Sequence, residues 1–157
     1  DLIMSDYQHI TGKSGQSFVD GVPIMFDKIS ATISDGMEVE KTRGVPDGTV
    51  PGDVSCEGDV EMKYKYFKVF SLLAKKHGSY RAIPAMDITY IAATKSDVLP
   101  IVLHGCKFTM ESILEAESND GAKSGMVKLK FKVSSPDFVS INGVPYLDAL
   151  ETIGVLG

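Results

Sequence analysis

Three carboxylates, Glu57, Asp59 and Glu61, recur at every second position of the chain. On a β-strand that spacing puts them on one face, at about 6.6 Å per step. Such a row suits acid–base work in a hydrolase or a hard-cation site. Calcium loops gather their ligands around a tight turn, and no Asp-x-Asp-x-Asp-Gly pattern occurs here. A wetted strand face is therefore the plain expectation. A second row, Lys128, Lys130 and Lys132, has the same period and the opposite sign. No aromatic residue interleaves with it, so it is a poor nucleic-acid groove and reads as an exposed face or a protected edge. Equal rows of opposite sign also suggest acidic and basic faces that meet between subunits.

Nucleophiles are scarce. His104 and Cys106 lie two apart in an apolar run, where a core histidine and an inert thiol are expected rather than a Cys–His pair. His9 and His77 are remote from both. Two cysteines, Cys56 and Cys106, fit a reducing compartment with small buried thiols better than a disulfide or a metal pair. No Gly-x-Gly-x-x-Gly, Walker loop or serine elbow is present. The expectation is a protein that is not an enzyme, with no catalytic residues, no metal site and no cofactor.

The elements that carry these rows are mostly strands. Alternation marks Lys28–Ser34, with Ile29, Ala31 and Ile33 on one side, and Asp53–Lys63, with Val54, Cys56, Val60 and Met62 inward. Gly58, on the apolar side, marks a bulge or a close approach. Val22–Phe26, Ala85–Ala93 and the long Val98–Met110 run also read as strands. In Met126–Ser134, Val127, Leu129, Phe131 and Val133 alternate with the lysines. Asn142-Gly143 predicts a small hairpin over Phe138–Leu147. The one helix, about residues 64–77, carries Tyr66, Val69, Phe70 and Leu73 on one stripe and stops at Gly78. Glu38–Gly52, with Gly44, Pro46, Gly48 and Pro51, reads as a functional or mobile loop. Ser118–Gly125 reads as a polar turn.

Size bounds the whole. At 157 residues and 17.0 kDa, area scaling gives a folded surface of roughly 7,700 Å² and about 69 % burial, enough for one self-sufficient core. The expected fold is mainly β: a sandwich or open barrel of antiparallel strands with one flanking helix. Residues 1–13 form an arm and 14–157 a single domain. The balance of 16 basic and 21 acidic residues, −5, argues against a generic nucleic-acid binder. No apolar run approaches a membrane span, and no basic-then-apolar leader opens the chain.

Several segments in order carry a resemblance: Ser14-Gly15-Gln16-Ser17-Phe18, Ile29-Ser30-Ala31-Thr32-Ile33, and Thr42-Arg43-Gly44-Val45-Pro46-Asp47-Gly48. Gly52 to Glu61, the helix end at Gly78-Ser79-Tyr80-Arg81, Gly105-Cys106, and Ser135-Pro136-Asp137-Phe138 through Leu147 continue it. The chain resembles the tail tube proteins of contractile-tailed double-stranded DNA phages, which are related in fold to type VI secretion tube proteins. The likeness covers roughly Ser14 to Leu147 and is most specific in the Thr42–Gly48 stretch and the last segment.

That resemblance implies hexameric rings stacked into a hollow tube within a virion tail assembled in the host cytoplasm. Sheath, tape measure and baseplate proteins would be its partners, and DNA would pass through unbound, without membrane insertion by this chain. Glu57, Asp59 and Glu61 are then expected to line an acidic channel. Arg43, Val45, Pro46 and Asp47 are expected to clasp a neighbouring subunit or ring. Alternatives are a tube subunit of a phage-derived injection device, a hydrolase built on the acidic row, or a monomeric β-barrel that binds a small apolar ligand. The barrel's cavity would be lined by Met86, Ile88, Tyr90, Val102 and Phe108.

Overall fold

The computed structural model describes residues 15–114 and 125–150. Along the chain run β1 (Gln16–Val19), β2 (Val22–Pro23), β3 (Lys28–Asp35), β4 (Glu38–Thr42), β5 (Val45–Val50) and β6 (Val54–Lys63). Then come α1 (Tyr64–His77), β7 (Met86–Ala93), β8 (Val98–Ser112), β9 (Met126–Val133), β10 (Val139–Ile141) and β11 (Val144–Pro145). The main sheet runs β2-β1-β7-β8-β9-β6-β3, with β10 and β11 attached through β8, while among the described residues β4 and β5 pair only with each other. Among the described residues this is the mainly β, antiparallel fold with one helix that the sequence predicts. The expected arm, residues 1–13, and most of the expected polar turn lie outside the described residues.

β8 organises the sheet because it serves two sets of partners. Residues Val98–Cys106 pair with β7, and Ile101–Leu103 also pair with β10 on the opposite edge. Beyond the handover, Cys106–Ser112 pair with β9. The transition falls at Gly105, φ 66°, where the β7–β8 register slips between Met86 and Ile88. A bulge of this kind lets one strand pass between sheet halves. One half comprises β2, β1, β7, the start of β8, β10 and β11; the other comprises the end of β8, β9, β6 and β3. A single core lies on both: Val19, Ile88, Leu103 and Val139 from the first, Val60, Met62, Leu129 and Phe131 from the second.

The helix closes that core. It starts straight after β6, and Phe70 and Ala74 are its buried residues. Phe70 meets Phe108 edge-on at 5.1 Å, and burying such a ring contributes about 1.5–3 kcal/mol. Lys75, Lys76 and His77 fill the last turn, and the N–H of left-handed Gly78 bonds the Ala74 carbonyl at 2.7 Å.

Two expectations need correction. Glu38–Gly52 is not a loop but the β4–β5 hairpin, turned by Arg43 (φ 55°) and Gly44 (φ 80°). Those signs make the same two-residue turn as Asn142-Gly143, with φ values of 54° and 80°. All eleven strand residues of β4 and β5 are exposed, so no apolar–polar alternation announces them. The strand expected over Val22–Phe26 pairs only at Val22–Pro23, because Ile24 turns into the core and its N–H bonds the Ser17 carbonyl at 3.1 Å.

Candidate functional site

β6 and β9 are neighbours, and their register sets Glu57 opposite Lys132, Asp59 opposite Lys130 and Glu61 opposite Lys128. Directly opposed residues of an antiparallel pair keep their Cβ atoms about 4.5–5.5 Å apart. The two rows therefore form adjacent columns on one face of one subunit. The opposite signs thus already meet within one subunit. β3 continues the rows with Thr32, Ser30 and Lys28 against Glu57, Asp59 and Glu61. Ser30 Oγ donates to Asp59 at 3.1 Å, and Lys28 Nζ lies 4.0 Å from Glu61. On the β8 side, Lys130 Nζ reaches Glu111 at 3.5 Å. The opposite face of the same strands holds Cys56, Val60, Met62, Val127, Leu129 and Phe131, all buried. Gly58 lets β3 and β6 come this close: a Cβ there would stand 1.9 Å from the Ser30 carbonyl oxygen and 2.7 Å from the Phe131 ring.

The second candidate region is the hairpin. Arg43 sits in its turn, Val45 pairs with Thr42, and Pro46 pairs with Lys41. Asp47 accepts a hydrogen bond from Thr42 Oγ1 at 2.7 Å, which ties the two strands near the tip. At the base, the Gly36 N–H bonds the Asp53 carbonyl at 2.8 Å and closes a neck. A depression of about 280 Å³ beside the neck is lined by Asp35, Met37, Thr49, Val54, Tyr146 and Leu147, among others. Across it, the Tyr146 hydroxyl donates to Asp35 at 2.5 Å. That bond and the Met37 N–H hold the Asp35 carboxyl below the usual range. This latch joins positions 111 apart, and no sequence signal pointed to it.

The histidine and thiol do not form a reactive pair. His104 Nδ1 lies 3.5 Å from Asp87, while the buried Cys106 thiol faces the Leu103 carbonyl at 3.5 Å. Burial pushes that thiol up to about 12. Asp87 also accepts the Gly105 N–H at 2.9 Å, and its own N–H donates to Asp20 at 2.7 Å. The cluster thus braces the β8 bulge. Of the residues expected to line a ligand cavity, Met86, Ile88 and Phe108 are buried members of the packed core. Tyr90 and Val102 are half-buried in β7 and β8. Among the described residues no group of three metal-ligating side chains converges.

The family profile described as Bacteriophage HP1, Orf24 matches residues 13–147. A protein of Haemophilus phage HP1 with a provisional tail tube assignment is 41% identical over 150 residues, spanning 96% of this chain and 99% of its own. Among solved structures, a chain of the extended sheath–tube complex of an extracellular contractile injection system shares the fold. Its TM-score is 0.61 at 15% identity, covering 91% of this chain and 97% of that one. A chain from the sheath/tube terminator of such a system gives 0.62 at 11% identity, covering 82% of this chain and 92% of that one. The structural likenesses speak for the fold alone; the phage relative and the profile carry kinship across nearly the whole length. The chain belongs to the bacteriophage HP1 Orf24 family of phage tail tube proteins.

Proposed function

We propose that six copies of this chain close edge to edge into a ring and that rings stack into the channel of the tail. The observation that carries this is a pair of open edges on one half-sheet. Among the described residues, β3 pairs only with β6, and Lys107–Ser112 of β8 pair with no strand on the side away from β9. The strands β8, β9, β6 and β3 thus form a four-stranded segment that can be extended at both ends. Six such segments at ~4.8 Å per strand give a circumference of about 115 Å and a backbone diameter of roughly 40 Å, wide enough for duplex DNA. The face with Glu57, Asp59 and Glu61 then lines the channel, and the core face and α1 lie behind it.

The β4–β5 hairpin serves as the clasp on a neighbouring subunit or ring. An isolated two-stranded hairpin is marginal in water. This one leaves Met37, Val39, Val45 and Val50 exposed, so a partner surface is what would stabilise it. Val45 and Pro46 supply apolar contact and Arg43 an ionic one. Sheath, baseplate and tape measure proteins are the further partners, and the role is structural, without catalysis. A tube subunit of an injection device has the same fold, but the high-identity relative is a phage protein.

Electron microscopy of the purified protein at high concentration tests the assembly. Rings or tubes are expected, and a strictly monomeric protein refutes it. Deleting Val45–Pro51 should leave a folded monomer that forms no tubes; unaffected tubes refute the clasp.

A further inference from the structure

We propose that the channel wall is charge-balanced rather than acidic, with Lys128, Lys130 and Lys132 acting as channel residues that cancel the carboxylates for DNA in transit. This rests on the preceding proposal that the β3–β6–β9–β8 face lines the channel. The carboxylate row alone would repel phosphate and the lysine row alone would bind it. The β6–β9 register makes neither row act alone. Across the three central rows, Lys28, Lys107, Lys128, Lys130 and Lys132 stand with Glu57, Asp59, Glu61 and Glu111, five positive charges and four negative, so the wall is within one charge of balance. Lys63 stands past these rows opposite Met126, and the Lys107 ammonium is taken by the carbonyls of Arg81 and Ile83.

Adjacent strands lie ~4.8 Å apart. Opposite charges are therefore closer to each other than the ~8 Å Debye length at physiological salt. A phosphate farther from the wall than the column spacing meets fields that largely cancel. It releases few counterions on approach and is not pushed away. Passage through such a wall is nearly independent of salt, whereas an acidic wall excludes DNA most strongly at low salt and a basic wall holds it there. The chain's −5 excess accordingly lies outside these rows.

The test uses assembled tubes of the full chain and a short fluorescent DNA duplex, read as the nuclease-protected fraction between 50 and 200 mM salt. Wild-type tubes should change by less than about threefold across that range. The triple variant Glu57→Gln, Asp59→Asn, Glu61→Gln should retain DNA at low salt and lose roughly 10³-fold in affinity by 200 mM. The triple variant Lys128→Gln, Lys130→Gln, Lys132→Gln should exclude DNA at low salt and admit it as salt rises. Wild-type tubes that behave like the lysine-depleted variant overturn the balance while leaving the face in the channel. Tubes that form normally but respond to neither triple variant overturn the placement of the face itself.

Discussion

Replacing Gly58 by alanine tests the backbone approach on which the β3–β6 pair depends. The added methyl would sit 1.9 Å from the Ser30 carbonyl oxygen and 2.7 Å from Phe131 Cζ. The ring cannot swing away, being 1% exposed and packed 6.0 Å from the Phe108 ring. The carbonyl can retreat only if β3 moves by on the order of 1 Å, since carbon–oxygen contacts need over 3 Å. Overpacking of this kind costs about 1–3 kcal/mol, and each weakened ladder bond adds about 0.5–1.5 kcal/mol. A loss near ~3 kcal/mol follows, and at ~2–4 °C per kcal/mol for a chain of this size the melting midpoint should fall by roughly 6–12 °C. Thermal unfolding by circular dichroism measures it, with the exposed Ser55→Ala on the same strand as a control expected within about 0.5 kcal/mol. Adding Phe131→Leu should not restore stability, because the carbonyl is the nearer obstacle. A Gly58→Ala midpoint within about 2 °C of wild type, or full rescue by the leucine, refutes the reasoning.

Other substitutions probe different parts of the molecule. Tyr146→Phe removes the hydroxyl that holds Asp35 low, and the sign fixes the pH window. A depressed carboxylate stabilises above its unfolded pKa and loses that contribution as pH falls through the folded value. The midpoint gap between wild type and Tyr146→Phe should therefore be present at neutral pH and narrow below ~4. Burial raises both thiols, Cys106 to about 12, so a thiol reagent at pH 8 should label neither cysteine in the folded chain and both after unfolding in denaturant. Phe70→Ala, at a position 0% exposed, should destabilise by about 3–5 kcal/mol, read from the denaturant midpoint.

Local signals made some of this legible and long-range pairing hid the rest. The helix was readable to the residue because its stripe and the Gly78 stop are contained within fifteen positions. Each charged row was readable because period-2 alternation needs only its own strand. That the rows face each other was not, since Glu57 and Lys132 are joined only by the sheet order β9-β6. The hairpin was missed because neither of its strands has a buried side, and Arg43-Gly44 lacks the asparagine that marked Asn142-Gly143. Asp87 and Tyr146 gave no signal, because their roles arise from Gly105 and Asp35 in distant segments.

The charge ladder and the open edges belong to one design. Soluble monomers blunt a sheet edge with charge, proline or a bulge. β3 carries none of these from Ile29 through Ser34, with Lys28 and Asp35 only at its ends. An edge that plain invites another strand, and the safe outcome is a defined addition that closes on itself. In the proposed ring, closure brings the polar faces of all copies around one axis. With three unpaired carboxylates per copy, the charges would repel within the ring and between stacked rings, and a larger tube would be harder to close. The lysine column beside them removes that repulsion inside each subunit, before any partner arrives. In the ring we propose, the pairing that would let DNA pass without binding would therefore also let like subunits meet without mutual repulsion.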